Sequence, residues 1–291
     1  MGSDEATGLA QVSRVLVVGA GAMGSGIAQI IAESGMDVTL TDVDTPSLEH
    51  GLAGIEARWD KAVSTGKRDA ETVAGFKGHL RSGDLSAARD VDLVIEAIVE
   101  RLPAKSALFT ELGQLAPAGA ILASNTSSIS VTALATASGR PERFVGLHFF
   151  NPVPVLPLVE IVRGLQTFPE TVETAEQFVT RLGKTPVIVR DSPGFVANRI
   201  LLPMINEAVF TLQDGVTDAA GIDAVMKLGA AHPMGPLALA DLIGLDVCLA
   251  ILETLHRDFG DDKYRPAPLL RRMVAAGRLG RKAGQGFHVY D

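Results

Sequence analysis

One stretch constrains the fold of this chain more than any other. The apolar run RVLVV at 14–18 leads into the glycine pattern G-A-G-A-M-G at 19–24, and the helix-forming segment SGIAQIIAESG follows at once. Glycines at this spacing between a strand and a helix serve three physical ends. Gly19 permits the tight turn, Gly21 lets the backbone come close to a pyrophosphate, and Gly24 lets helix and strand pack closely. The helix N-terminus presents amides and the positive end of its dipole to phosphate. A second β-rich run, DVTLT, is closed by Asp42, 18 residues beyond Gly24. A carboxylate there accepts hydrogen bonds from both ribose hydroxyls and repels a 2′-phosphate, so the pattern predicts NAD as the cofactor rather than NADP.

The same rhythm continues in DLVIEAI (92–98), AILAS (120–124) and RFVGLHFF (143–150), then in LVEIVRG (158–164), a helix over 171–182 and TPVIVRD (185–191). Strands alternating with helices predict a parallel sheet, and strands apolar nearly throughout predict helices on both of its faces. A polar, Ala-rich segment between Pro46 and Lys77, carrying Trp59, reads as a helical insertion protruding beyond the sheet. After Asp191 the pattern is helical. Ile200, Leu201, Met204, Ile205, Ala208 and Val209 fit one helix face, with Pro193 in the first turn, and further helices are expected over 218–228, 237–258 and 266–276. A chain of 291 residues, 47% hydrophobic, has the length and apolar content for two cores. The expected fold is α/β: a Rossmann-like, mostly parallel sheet domain over 1–190 with a helical insertion at about 46–78, followed by an all-α C-terminal domain over 191–291.

A formal net charge of -8 argues against a general nucleic-acid binder, whose affinity comes from clustered Lys and Arg. The single cysteine, Cys248, cannot form an intramolecular disulfide, which fits a reducing compartment. The first 13 residues hold no Lys, Arg or apolar run, so they read as a flexible tail rather than a targeting segment. No apolar run is long enough for a spanning helix. These features predict a soluble, cytoplasmic protein without a membrane partner, and no metal site is expected.

The segments SNTSS (124–128), GLHFFNPVPV (146–155), LVE (158–160), DSPGFVANR (191–199), PMGP (233–236) and LGRKAGQGFHVY (279–290), together with GAGAMGSGIA (19–28), closely resemble the 3-hydroxyacyl-CoA dehydrogenase family, in this order and over nearly the whole chain. The resemblance implies NAD-dependent oxidation of a 3-hydroxyacyl-CoA thioester to the 3-ketoacyl-CoA. The chemistry agrees. Oxidising a secondary alcohol requires removal of the hydroxyl proton while hydride leaves carbon, and a neutral imidazole is a suitable base. His148 lies at the end of FVGLHFF, where open parallel sheets bind ligands, and Glu160 in the next strand can hold one ring nitrogen. In the family this pair is the catalytic dyad. By resemblance, Ser127 and Asn198 hydrogen-bond the substrate and the histidine, so the second domain is expected to complete the site. Asn125, Glu100 and Lys105 match positions that contact the cofactor near its ribose and nicotinamide. Taken alone, SNTSS reads as a helix cap, Asn198 as a residue bonding backbone at the hinge, and Glu100 and Lys105 as solvated charges.

Coenzyme A carries several phosphates, so an acidic enzyme needs local positive charge to receive it. The stretch 56–68 offers Arg58, Lys61, Lys67 and Arg68 against Glu56 and Asp60, in the region where the family binds the CoA moiety. Lys61 and Lys67 are the expected contacts, although relatives carry denser lysine there and a solvated helix face is the alternative. Two other functions compete: a dehydrogenase of a free 3-hydroxy acid such as gulonate, and an NAD-binding structural protein without turnover. Apolar positions in the helical domain, as in relatives that dimerise through it, predict a homodimer.

Overall fold

The computed structural model describes residues 12–290, which form two compact units divided between residues 191 and 192. The first holds eight strands: β1 (Arg14–Val18), β2 (Asp37–Thr41), β3 (Leu80–Ser82), β4 (Leu93–Glu96), β5 (Ile121–Ser124), β6 (Phe144–Phe149), β7 (Leu158–Arg163) and β8 (Thr185–Arg190). They lie in the order β3-β2-β1-β4-β5-β6-β7-β8, and every neighbouring pair is parallel except β6 and β7. The order reverses between β1 and β4, the switch point at which such sheets receive ligands.

Alternation along each strand divides the core into two layers. Val15, Val17, Ile95, Ala123, Leu147 and Ile161 share one apolar cluster with Ile27 and Ile31 of α1 (Ala22–Glu33). That cluster also takes Ile55 and Trp59 of α2 (Thr45–Ser64) and Val73 of α3 (Ala70–His79). The alternate residues Leu16, Val94, Leu122 and Phe144 are equally buried. On their side, Phe109 of α4 (Leu102–Leu115) meets the Phe144 ring edge-on, at 4.6 Å between centroids. α5 (Val131–Ala137) packs against β6 on this side, and α6 (Pro169–Arg181) packs on β6, β7 and β8.

The insertion is helical as expected, but it is anchored rather than merely protruding. Trp59 is 2% exposed, and its indole N–H donates to Glu33 Oε1 at 2.7 Å, which fastens α2 to α1. Of the expected flexible tail, residues 1–11 lie outside the described residues. Its last two residues are packed: Val12 is buried, and the Ser13 amide and hydroxyl both donate to Asp92.

The second unit is helical: α7 (Ala197–Gln213), α8 (Ala219–Gly229), α9 (Pro236–Ile243), α10 (Leu245–Phe259) and α11 (Pro268–Ala275). Leu202, Ile205, Val209, Leu237, Leu245, Cys248, Leu252 and Leu270 lie in its core. Three sequence expectations shift here. Pro193 is not in the first turn of α7, because Gly194 and Phe195 both take positive φ and the right-handed helix starts only at Ala197. The inward stripe of α7 runs through Asn198, Leu202, Ile205 and Val209, which leaves Ile200 67% exposed. The helix expected over 237–258 is two helices, broken at Gly244 with φ +105°. No described helix is long and apolar enough to cross a membrane.

Candidate active site

The glycine turn fits a dinucleotide on steric grounds. Gly19 has φ +107°, and a Cβ there would lie 2.5 Å from the Ala97 carbonyl oxygen. A Cβ on Gly24 would overlap the Gly19 carbonyl oxygen at 1.7 Å, so the third glycine is required by the helix's approach to the turn. Gly21 differs: its φ of -64° suits any residue, and a Cβ would meet nothing within 4 Å. Nothing in the protein's own packing demands glycine there. The open space suits a ligand that must come close to the backbone. Gly21 is also the N-cap of α1 and has no side chain to cover the first-turn amides, which leaves that end suited to phosphate. Asp42 follows directly on β2; its Oδ2 accepts the Ala20 amide at 2.8 Å and its Oδ1 accepts that of Asp44 at 3.0 Å. The carboxylate expected at the ribose is thus held against the glycine turn.

The histidine and its acid are brought together by strand register. In the antiparallel β6–β7 pair His148 lies directly opposite Glu160, which puts both side chains on one face of the sheet. His148 Nδ1 and Glu160 Oε2 are 2.7 Å apart, with side chains 7% and 3% exposed. Phe150 covers the imidazole at 4.5 Å between ring centroids. An aromatic lid and low exposure strengthen the electrostatic coupling of the pair. The pair can hold one ring tautomer and stabilise an imidazolium formed on proton uptake.

Lys105 is not a solvated charge, and Glu100, though its side chain is 37% exposed, is tied into a network of neighbours. Lys105 is 1% exposed, and its ammonium pairs with Glu96 Oε1 and, at 3.2 Å, with Glu100 Oε2. Glu100 Oε1 accepts the Thr126 hydroxyl at 2.6 Å and the amides of Ser127 and Ser128 at 2.9 and 3.1 Å. Burial pushes the Glu100 carboxyl upward, but Lys105, Thr126 and Ser127 together hold it below the usual range. The helix cap proposed for SNTSS falls elsewhere: Ser130 caps α5 by accepting the Ala133 amide, whereas 126–128 gather on Glu100. Asn125 Oδ1 accepts the Phe149 amide at 3.0 Å, so it links the end of β5 to the residue after His148. Asn198 is the second residue of α7 and is buried in the second unit.

In the basic stretch, Arg58 donates to Gln29 Oε1 at 2.5 Å, and Arg68 lies over the Phe76 ring at 5.8 Å. Lys61, in the last turn of α2, and Lys67, in the following turn, are exposed. A depression of about 310 Å³ between α2 and α3 is lined by Asp60, Val63, Ser64, Val73 and Lys77 among others, with Lys61 and Lys67 outside its lining. Sequence reasoning passed over Glu96 and Ser124, both fully buried beside Lys105. The signal was available, since Glu96 is the one charged residue inside the apolar run LVIEAI.

A dinucleotide turn at the switch point of a doubly wound sheet, with a buried histidine–carboxylate pair on the same sheet, defines the class of nicotinamide-dependent dehydrogenases. The comparisons narrow this. Residues 14–192 match the NAD binding domain of 3-hydroxyacyl-CoA dehydrogenase, and 194–290 match the C-terminal domain of the same family. A probable 3-hydroxybutyryl-CoA dehydrogenase of Deinococcus radiodurans is 55% identical over 94% of this chain and 99% of the relative. The 3-hydroxybutyryl-CoA dehydrogenase of Bradyrhizobium diazoefficiens is 50% identical, over 97% and 96%. The crystal structure of (S)-3-hydroxybutyryl-CoA dehydrogenase from Ralstonia eutropha superposes with a TM-score of 0.93 at 45% identity, over 97% of this chain and 100% of that one. The chain belongs to the 3-hydroxyacyl-CoA dehydrogenase family, and its cofactor is NAD.

Proposed function

We propose that the protein interconverts (S)-3-hydroxyacyl-CoA and 3-ketoacyl-CoA, with 3-hydroxybutyryl-CoA as its principal substrate. The observation that carries the proposal is the buried His148–Glu160 pair, 2.7 Å apart, on a sheet whose glycine turn suits NAD. NAD, when bound, would supply the acceptor for the hydride of the alcohol carbon. His148 takes the hydroxyl proton in oxidation and returns it to the keto oxygen in reduction, while Glu160 holds Nδ1 and stabilises the imidazolium. Oxidation needs the neutral ring and reduction the charged one, so the two directions respond oppositely to pH. Ser127 and Asn198 serve as hydrogen-bonding residues toward substrate and histidine. Gly19, Gly21, Gly24 and Asp42 hold the adenosine and pyrophosphate half of the cofactor, and Asn125, Glu100 and Lys105 border its nicotinamide half. Lys61 and Lys67 receive CoA phosphate, a role supported by their exposure beside Arg58 and Arg68.

The test is oxidation of NADH and NADPH against a ladder of 3-ketoacyl-CoA thioesters, with acetoacetate and gulonate as free-acid controls. Turnover of acetoacetyl-CoA with NADH is expected. Activity on the free acids with none on any thioester would overturn the assignment. The second domain would serve in homodimerisation. It carries Ile200, Val225 and Leu228 on its surface, the kind of side chains an interface covers, and sedimentation velocity checks this. A cytoplasmic setting fits the one cysteine, Cys248, whose thiol is pushed up to about 12 by burial and by Asp246 and Asp241; cell fractionation checks it.

A further inference from the structure

Glu96 ends β4 at the switch point, paired in register with Val18 of β1 and Ser124 of β5. Glu96, Ser124 and Lys105 are all essentially inaccessible to solvent. Charges so placed are costly to desolvate, and as a device for stability alone an ion pair here is inferior to well-packed apolar side chains. The arrangement has another property: it closes on itself. Glu96 Oε1 holds the Lys105 ammonium, which reaches Glu100 Oε2 at 3.2 Å. Glu100 Oε1 holds the Thr126 hydroxyl at 2.6 Å. The Thr126 amide donates to Ser124 Oγ at 3.2 Å, and Ser124 Oγ donates back to Glu96 Oε2 at 2.6 Å.

The segment spanned by this ring is the 124–128 loop. Glu100 also holds the amides of Ser127 and Ser128, and Asn125 ties the same loop to Phe149, the neighbour of His148. Glu96 Oε1 further accepts the Ile98 amide at 2.7 Å, which fixes the chain leading from β4 toward Glu100. The ring contains two carboxylates and one ammonium, and Lys105 is held between Glu96 and Glu100.

We infer that Glu96 is a positioning residue. Its charge fixes Lys105 and Glu100, and through them sets Ser127 and Asn125 relative to His148. The inference rests on the functional reading above, because it takes the 124–128 loop to border the reacting groups. Glu96 itself is fully buried, so it acts through its neighbours.

Two readouts test it. In steady-state reduction of acetoacetyl-CoA by NADH, Glu96→Gln is expected to lower kcat about tenfold while KM for the thioester moves less than about threefold. The double variant with Glu100→Gln should fall no further than about threefold below Glu100→Gln alone, because residues acting through one network are not additive. Multiplicative losses, or wild-type kcat in Glu96→Gln, would overturn the inference. Should Glu96→Gln fail to fold, Ser124→Ala opens the same ring with a smaller change, and the same non-additivity with Glu100→Gln is expected of it. The second readout needs no substrate. Hydrogen exchange at the Ser127 and Ser128 amides should quicken about tenfold in Glu96→Gln, with core amides unchanged, and unaltered exchange would refute the ring's role. Faster exchange in a protein whose wild type turns over no thioester would sustain the ring and remove the functional reading instead.

Discussion

Among the described residues, two histidine–carboxylate pairs of nearly equal length, a buried one in the first unit and a partly buried one in the second, differ in what surrounds them. His148 and Glu160 face each other at 2.7 Å from adjacent antiparallel strands, so the ladder register brings the two side chains together. His288 Nε2 stands 2.8 Å from Asp223 Oδ2 in the helical unit. There the carboxylate is committed to backbone: Asp223 accepts the amides of Leu237 and Ala238 and so caps the first turn of α9. The neighbouring Asp241 accepts the amides of Phe287 and His288 and the hydroxyl of Tyr290. A Cβ on Gly235 or Gly286 would sit within 2.4 Å of these carboxylates, so the glycines of PMGP and GRKAGQGF make room for them. The same two functional groups thus form a chemical pair in one place and a fastener for the C-terminal segment in the other. Proximity of an imidazole to an acid does not identify a catalytic dyad. In Asp223 and Asp241 the acceptors join the C-terminal segment to α9, and the imidazole there takes part in that fastening.

The largest expected effect separates the two directly. His148→Gln should lower kcat by about 10²–10⁴-fold, the usual contribution of general acid–base catalysis, with NADH affinity by fluorescence titration unchanged. An equal loss in His288→Gln would erase the distinction between the pairs. Glu160→Gln comes next. It should cost about tenfold to a hundredfold in kcat and alter the pH profile, because the ring loses its orienting acceptor and the charge that stabilises the imidazolium. Asp241→Asn should leave kcat per folded molecule within about twofold but lower folding stability by roughly 1–3 kcal/mol, the cost of disturbing a buried acceptor shared by several donors, as read from denaturant unfolding. A large fall in kcat at unchanged stability would give the C-terminal fastener a catalytic part.

The smallest effect is in the acid range and concerns the loop between β5 and α5. With the Glu100 carboxyl held below its usual 4.5 in the folded chain, the unfolded chain binds its proton first as pH falls. Stability from Glu100 is present above about pH 4.5 and is lost as pH drops through the lower folded value. Glu100→Gln should therefore lose less stability than wild type as pH falls below about 4.5, measured by thermal melts across the acid range. Equal losses would mean that Glu100 is not held as its partners indicate.

Much of this was legible in the linear text because it depends on local rules. Strand, glycine turn and helix follow from neighbours along the chain, and the apolar strands announce a sheet buried on both faces. His148 and Glu160 were legible as candidates, since each sits in a recognisable strand twelve residues from the other. Other features were not. β3 spans three residues and exists because β2 offers it an edge. Ile200 fits an apolar period yet faces outward, because Gly194 and Phe195 set where α7 begins and hence which stripe turns inward. Trp59 went inward because α1 presented Glu33 to its indole. The clearest division lies among the acids. Sequence alone determined that Asp42, Glu96, Glu100, Glu160, Asp223 and Asp241 are present, and near which elements they fall. Only the tertiary structure decided which meet histidine, lysine or main-chain amides, because a carboxylate's role depends on the donors that the fold brings within about 3 Å, and most of those come from distant parts of the chain.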